Sequence, residues 1–167
     1  MKRLGLSLLV ATLVLPAAAL AGARSAGDGT LVVRDANAKV DIAKSRGTIF
    51  GHLGKGWLKV TDFNPEDSRD PEVNGAKMSY PLNASGSTWF YKGADIRFRF
   101  FGGRYSITVY GSGIDLSAVG KGTVTLSGLT TVTDAAYGTY AVDGHKFAPI
   151  QLLPTVDTFG TPPPASP

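Results

Sequence analysis

From residue 95 to residue 101 the chain alternates without a break, with Ile96, Phe98 and Phe100 on one side and Arg97 and Arg99 on the other. A period of two is the signature of a half-buried strand, because successive side chains point to opposite faces. The pattern recurs along the chain. Residues 30–35, 39–44, 48–53 and 57–62 read as strands. So do 77–82, 88–92, 95–101, 104–110, 114–119 and 123–126. In the second of these Val40 and Ile42 share one face and Lys39 and Asp41 the other. Beyond residue 21 apolar residues do not repeat at three-four spacing over a useful length, so no helix is expected. The expected class is all-β: an antiparallel β-sandwich or barrel of about eight to ten strands.

Turn chemistry divides the runs. Ala36-Asn37, Ser45-Arg46-Gly47, Gly54-Lys55-Gly56 and Gly102-Gly103 read as chain reversals, and Asp143-Gly144 as a tight hairpin between residues 140–142 and 145–147. Residues 64–75 read as a long polar loop.

The segments LGKGWLKV (53–60) and VGKGTVTL (119–126) match in kind and register. Upstream, Val40 and Ile42 align with Ile107 and Val109, and Leu31 and Val33 with Ile96 and Phe98. The chain is therefore expected to duplicate a four-stranded meander, with halves at about 29–62 and 93–128. A single sheet with one apolar face cannot bury that face alone, and two such sheets can.

Residues 1–21 run from basic (Lys2, Arg3) through an apolar stretch to small residues ending at Ala21, the order of a secretory signal peptide. The apolar stretch falls short of the roughly 20 residues a membrane span needs. Secretion is expected, with an all-β domain at 22–153 and a Pro-rich, disordered tail at 154–167. The chain has no cysteine, which excludes disulfides, thiolate catalysis and cysteine-bound metal. The formal net charge of +4 includes Lys2 and Arg3, so the exported part is nearly balanced and carries no nucleic-acid footprint.

His52 lies in a strand and His145 beside a turn. Both read as ordinary packing, since no HExxH, HxH or GxSxG pattern accompanies them. No catalytic residue and no cofactor are expected. Residues 62–70 gather Asp62, Asn64, Glu66, Asp67 and Asp70, but the glycine that bends a calcium loop is missing and Arg69 sits among the acids. This is read as a solvated acidic loop without metal. Asn83-Ala84-Ser85 is a glycosylation sequon in an expected loop.

Parity supplies the candidate binding residues. With Leu58 and Val60 inward, Trp57 and Lys59 face out. Tyr110 is outward by the same logic, and Trp89 and Tyr91 share another face. An exposed aromatic is a stacking platform for a sugar ring or apolar ligand. Arg97 and Arg99 form a stripe suited to anionic polymers, or to keeping a sheet soluble.

The stretches GTLVVRDANAKVDIAKSRGTIFGHLGKGWLKV (29–60) and FGGRYSITVYGSGIDLSAVGKGTVTL (101–126) resemble a group of small secreted all-β proteins of high-GC bacteria. The resemblance implies an exported all-β domain and brings no activity or site residue. The leading expectation is a non-enzymatic domain that binds a glycan or anionic polymer at the cell envelope. The alternative is a barrel carrying a small apolar ligand, lined by Phe98, Phe100, Ile107 and Val109. A secreted hydrolase with a dispersed site is the third reading.

Overall fold

The computed structural model describes residues 25–67, 70–130 and 137–160. The expected leader (1–21), Arg69 and the tail from 161 lie outside them. The described chain is all-β: β1 (Gly29–Asp62), β2 (Glu72–Pro81), β3 (Thr88–Gly128), β4 (Thr139–Val142), β5 (Ala148–Pro149) and β6 (Thr155–Phe159). Every pairing is antiparallel, in the order β2-β3-β1-β4-β5, with β6 also on β3.

β1 and β3 account for most of the fold, and they pair twice. In one register Leu31 faces Ala118, Val40 faces Val109, Leu53 faces Ile96 and Val60 faces Trp89. In the other Val40 faces Leu126, Ile49 faces Ala118, Leu58 faces Val109 and Asp62 faces Tyr105. Much of β1 therefore has β3 on both sides, which requires the two-stranded ribbon to coil back on itself. A straight strand of 34 residues would span on the order of 110 Å at about 3.3 Å per residue, far more than a small domain can hold.

The coil turns along two rows of glycines. Gly29, Gly120, Gly47 and Gly103 are successive neighbours across the strands, and so are Gly93, Gly56 and Gly111. Within these rows Gly47 packs on Gly120 and Gly56 on Gly111, all four with φ between +134° and +152°. A Cβ at any of them would run into a carbonyl oxygen of the facing strand, so only glycine lets the backbones approach this closely. Near the rows, Asp35, Lys44 and Asp95 take left-handed φ of +48°, +47° and +55°, the conformation of a bulge that bends a strand.

This corrects four expected chain reversals. Ala36-Asn37, Ser45-Arg46-Gly47, Gly54-Lys55-Gly56 and Gly102-Gly103 all lie inside continuous strands. The segments they separate pair with the other long strand and not with each other, so neither β1 nor β3 is a meander. The reversal at Asp143-Gly144 does occur. The φ values are +50° and +75°, the His145 amide donates to the Val142 carbonyl at 2.9 Å, and Tyr140 pairs with Ala148. β6 forms within the stretch expected to be tail. It pairs with residues 122–126, and its Phe159 is buried against Gly122, which leaves room for the ring.

Inward side chains of β1 and β3 merge into one core with Tyr140, Val142, Ile150 and Phe159. Phe98 stacks on Phe100 at 5.5 Å, and Phe100 meets Tyr105 at a tilt, 5.2 Å away. Phe98 also covers Gly51, its partner across the strand, where a side chain would displace the ring. Each such buried aromatic contributes on the order of 1.5–3 kcal/mol through area removed from water. Among the described residues no buried side-chain polar atom lacks a hydrogen-bond partner.

Candidate functional site

The same alternation that buries one side of each strand presents the other side to solvent. Where five strand stretches lie side by side (32–34, 115–117, 50–52, 97–99 and 72–74), their outward residues line an open groove of about 640 Å³. Two rows cross it. In one, Ser117, Phe50, Arg99 and Glu72 are successive partners across the strands. In the other the succession is Asp115, His52, Arg97 and Asn74. Val32 and Arg34 complete the β4 side.

Several groups in the groove hold one another in place. Arg99 Nε donates to Glu72 Oε2 at 2.6 Å, a charge-assisted contact across neighbouring strands. His52 Nε2 lies 2.9 Å from Asp95 Oδ1, and Arg97 reaches the same oxygen at 3.6 Å. Asp115 Oδ1 accepts the Asp35 amide at 3.1 Å. Phe50 meets Phe101 edge-on at 5.5 Å. The Arg34 guanidinium lies 4.3 Å above the Phe147 ring. These pairs are exposed, so their worth is positional more than energetic: exposed ion pairs contribute about 0–1 kcal/mol.

Arg97 and Arg99 thus stand together in the groove, as their parity requires. The outward aromatics lie beyond the Gly56 bend, on the continuation of the same strands. Trp57 stacks on Tyr110 at 5.3 Å and on Phe90 at 5.6 Å, and Phe90 meets Tyr80 at 5.2 Å. Tyr110 and Phe90 stand on the two strands flanking Trp57, so both faces of the indole are occupied. Lys59 is exposed beside this strip, opposite Phe90 and Thr108. Trp89 and Tyr91 face the other way, paired with inward Val60 and Leu58. They stack at 6.2 Å at the rim of the core, where burial pushes the Tyr91 hydroxyl above its usual pKa and the Trp89 indole donates to the Gly86 carbonyl at 2.7 Å.

His52, read from sequence as ordinary packing, sits in the groove beside Asp95. Arg34, Asn74, Glu72 and Asp115 also belong to the groove and were not singled out from sequence. Alternation in residues 48–53 places Phe50 and His52 outward, which was the available signal. The cross-strand register that joins them to residues 72–74 and 115–117 has no local sequence signal. Among the described residues no group of three or more His, Asp or Glu side chains could hold a metal ion, and no helix is long and apolar enough to cross a membrane.

The chain matches no family model, no curated protein and no solved structure.

Proposed function

We propose that this is a secreted, non-enzymatic domain that binds a glycan chain of the cell envelope along the groove of Arg97 and Arg99. The observation that carries the reading is the composition of the groove. Planar hydrogen-bonding side chains (Arg34, Asn74, Arg97, Arg99, Asp115) stand beside Phe50 in an open channel. Sugars present alternating hydroxyls and apolar C–H faces, and such a mixture satisfies both. An open groove suits a polymer better than it suits a small molecule, which is usually held in an enclosed pocket. Three carboxylates there already have partners: Glu72 on Arg99, Asp95 on His52, and Asp115 on the Asp35 amide. These contacts hold the groove's donors in fixed positions, as a binding surface requires.

The Trp57 strip is the weaker platform, because its rings cover one another. The apolar-carrier reading draws no support from Phe98, Phe100, Ile107 and Val109, which are all buried among neighbouring core side chains.

We also propose that the coiled ribbon is a two-layer sandwich descended from a duplicated unit. The support is the pairing of repeat mates. Val40 faces Val109 and Ile42 faces Ile107, so a local two-fold through Asp41 and Thr108 exchanges one pair for the other. The Gly47–Gly120 and Gly56–Gly111 contacts are exchanged in the same way, to within three residues.

Co-sedimentation of the purified protein with insoluble envelope polysaccharide tests the functional reading. The wild type and Trp57→Ala should both pellet, whereas Asn74→Ala/Arg97→Ala should stay in the supernatant. Loss of binding in Trp57→Ala with retention in the groove variant would move the site to the aromatic strip. Failure of the folded wild type to pellet would refute the reading.

A further inference from the structure

The three groove arginines are not equivalent. Arg99 is neutralised by Glu72 at 2.6 Å, and Arg97 lies 3.6 Å from Asp95. Arg34 has no carboxylate within salt-bridge distance among the described residues, even though Asp115 stands on the facing stretch of β3. Its guanidinium is held over the Phe147 ring at 4.3 Å. Stacking fixes the plane of the group and leaves its N–H edges available, the arrangement that reads an oxyanion with two parallel hydrogen bonds. Phe147 is itself positioned by the chain reversal at Asp143-Gly144 and the pairing of β4 with β5.

We infer that Arg34 is an anion-reading residue at the β4 end of the groove, and that the glycan bound there carries a carboxylate or a phosphate. The inference rests on the glycan reading of the groove and narrows its ligand class. Arg34 supplies the charge recognition. Arg97 and Arg99, already paired, contribute hydrogen-bond donors in fixed positions.

Titration calorimetry of the full-length protein with polygalacturonate, a polyglycerol-phosphate teichoic acid and dextran tests this. One or both acidic chains should bind more tightly than dextran, on the order of tenfold or more for a charge-assisted bidentate contact. Whichever acidic chain binds better identifies the carboxylate or the phosphate as the natural group. Arg34→Ala should abolish the acidic preference, lowering affinity for the acidic chains far more than affinity for dextran. Arg34→Lys should restore only part of it, because an ammonium lacks the planar fork. Phe147→Leu should reduce it with Arg34 still present. The inference is overturned if Arg34→Ala keeps the full acidic preference, or if wild type binds dextran as tightly as both acidic chains. In either of those cases the glycan reading survives. If no polysaccharide binds to folded wild type, both fall.

Discussion

A methyl group added at Gly120 would be driven into the Arg46 carbonyl oxygen and would come 2.9 Å from Gly47 Cα, on a backbone with φ of +144°. Two costs follow. An L-residue held in that region costs about 1–3 kcal/mol. Pushing two backbones apart in a packed region adds a comparable overpacking cost of about 1–3 kcal/mol. Gly120→Ala should therefore lose about 4 kcal/mol out of a total stability of about 5–15 kcal/mol. With a urea dependence of about 2 kcal/mol per molar, the midpoint should fall by about 2 M. Gly86 is the internal control. Its φ is +69°, but nothing lies within 4 Å of where a Cβ would stand, so Gly86→Ala should lose only about 1–2 kcal/mol. Tryptophan fluorescence during urea unfolding reads both variants. Because Gly47 and Gly120 touch, Gly47→Ala/Gly120→Ala should lose less than the sum of the single losses, with a coupling of about 0.5–3 kcal/mol. Equal midpoints for Gly120→Ala and Gly86→Ala would refute the claim that close approach at the glycine rows shapes the ribbon.

Three further outcomes are expected. Phe98→Ala should cost about 3–5 kcal/mol in the same assay, since it empties the space over Gly51 beside Phe100. Burial raises the Asp62 carboxyl above its usual range; the Asn64 amide opposes the shift, and Asp67 and Asp70 add to it. The folded state thus favours the protonated acid. The stability this contributes is full below the unfolded value and is lost as pH rises through the raised folded value. Asp62→Asn should accordingly gain stability relative to wild type between pH 3 and pH 7, and a pH-independent difference would count against the assignment. Trp57→Ala removes two stacked contacts and should cost about 1–3 kcal/mol from those pairs, read as a lower urea midpoint with groove binding unchanged.

Much of this architecture follows from period-two alternation. The inward Ile96, Phe98 and Phe100 and the outward Arg97 and Arg99 lie where their spacing puts them, and so do Leu58, Val60, Trp57 and Lys59. The glycines misled because the same residue serves two geometries. A two-residue hairpin takes φ near +60° and reverses the chain, whereas Gly47 and Gly56 use φ of +134° and +152° to let two strands approach and bend together. Nothing local in Gly54-Lys55-Gly56 tells these apart; the facing Gly111 does, and it is distant in sequence. The short β6 has little signal of its own, because Pro- and Thr-rich neighbours hide its buried anchor, Phe159. For the groove, Arg97 and Arg99 could be read from their strand alone. Arg34, Asn74 and Asp115 join them only through the doubled β1–β3 register and the β2 edge, which are long-range pairings.

Nitrogen-15 NMR of the labelled protein, titrated with soluble envelope glycan fragments, tests whether a glycan occupies the groove. The amides expected to shift are those of Arg34, Phe50, His52, Arg97, Arg99 and Ser117, while those of Trp57, Phe90 and Tyr110 stay in place. Shifts confined to Trp57, Phe90 and Tyr110, or none at saturating glycan, would contradict it.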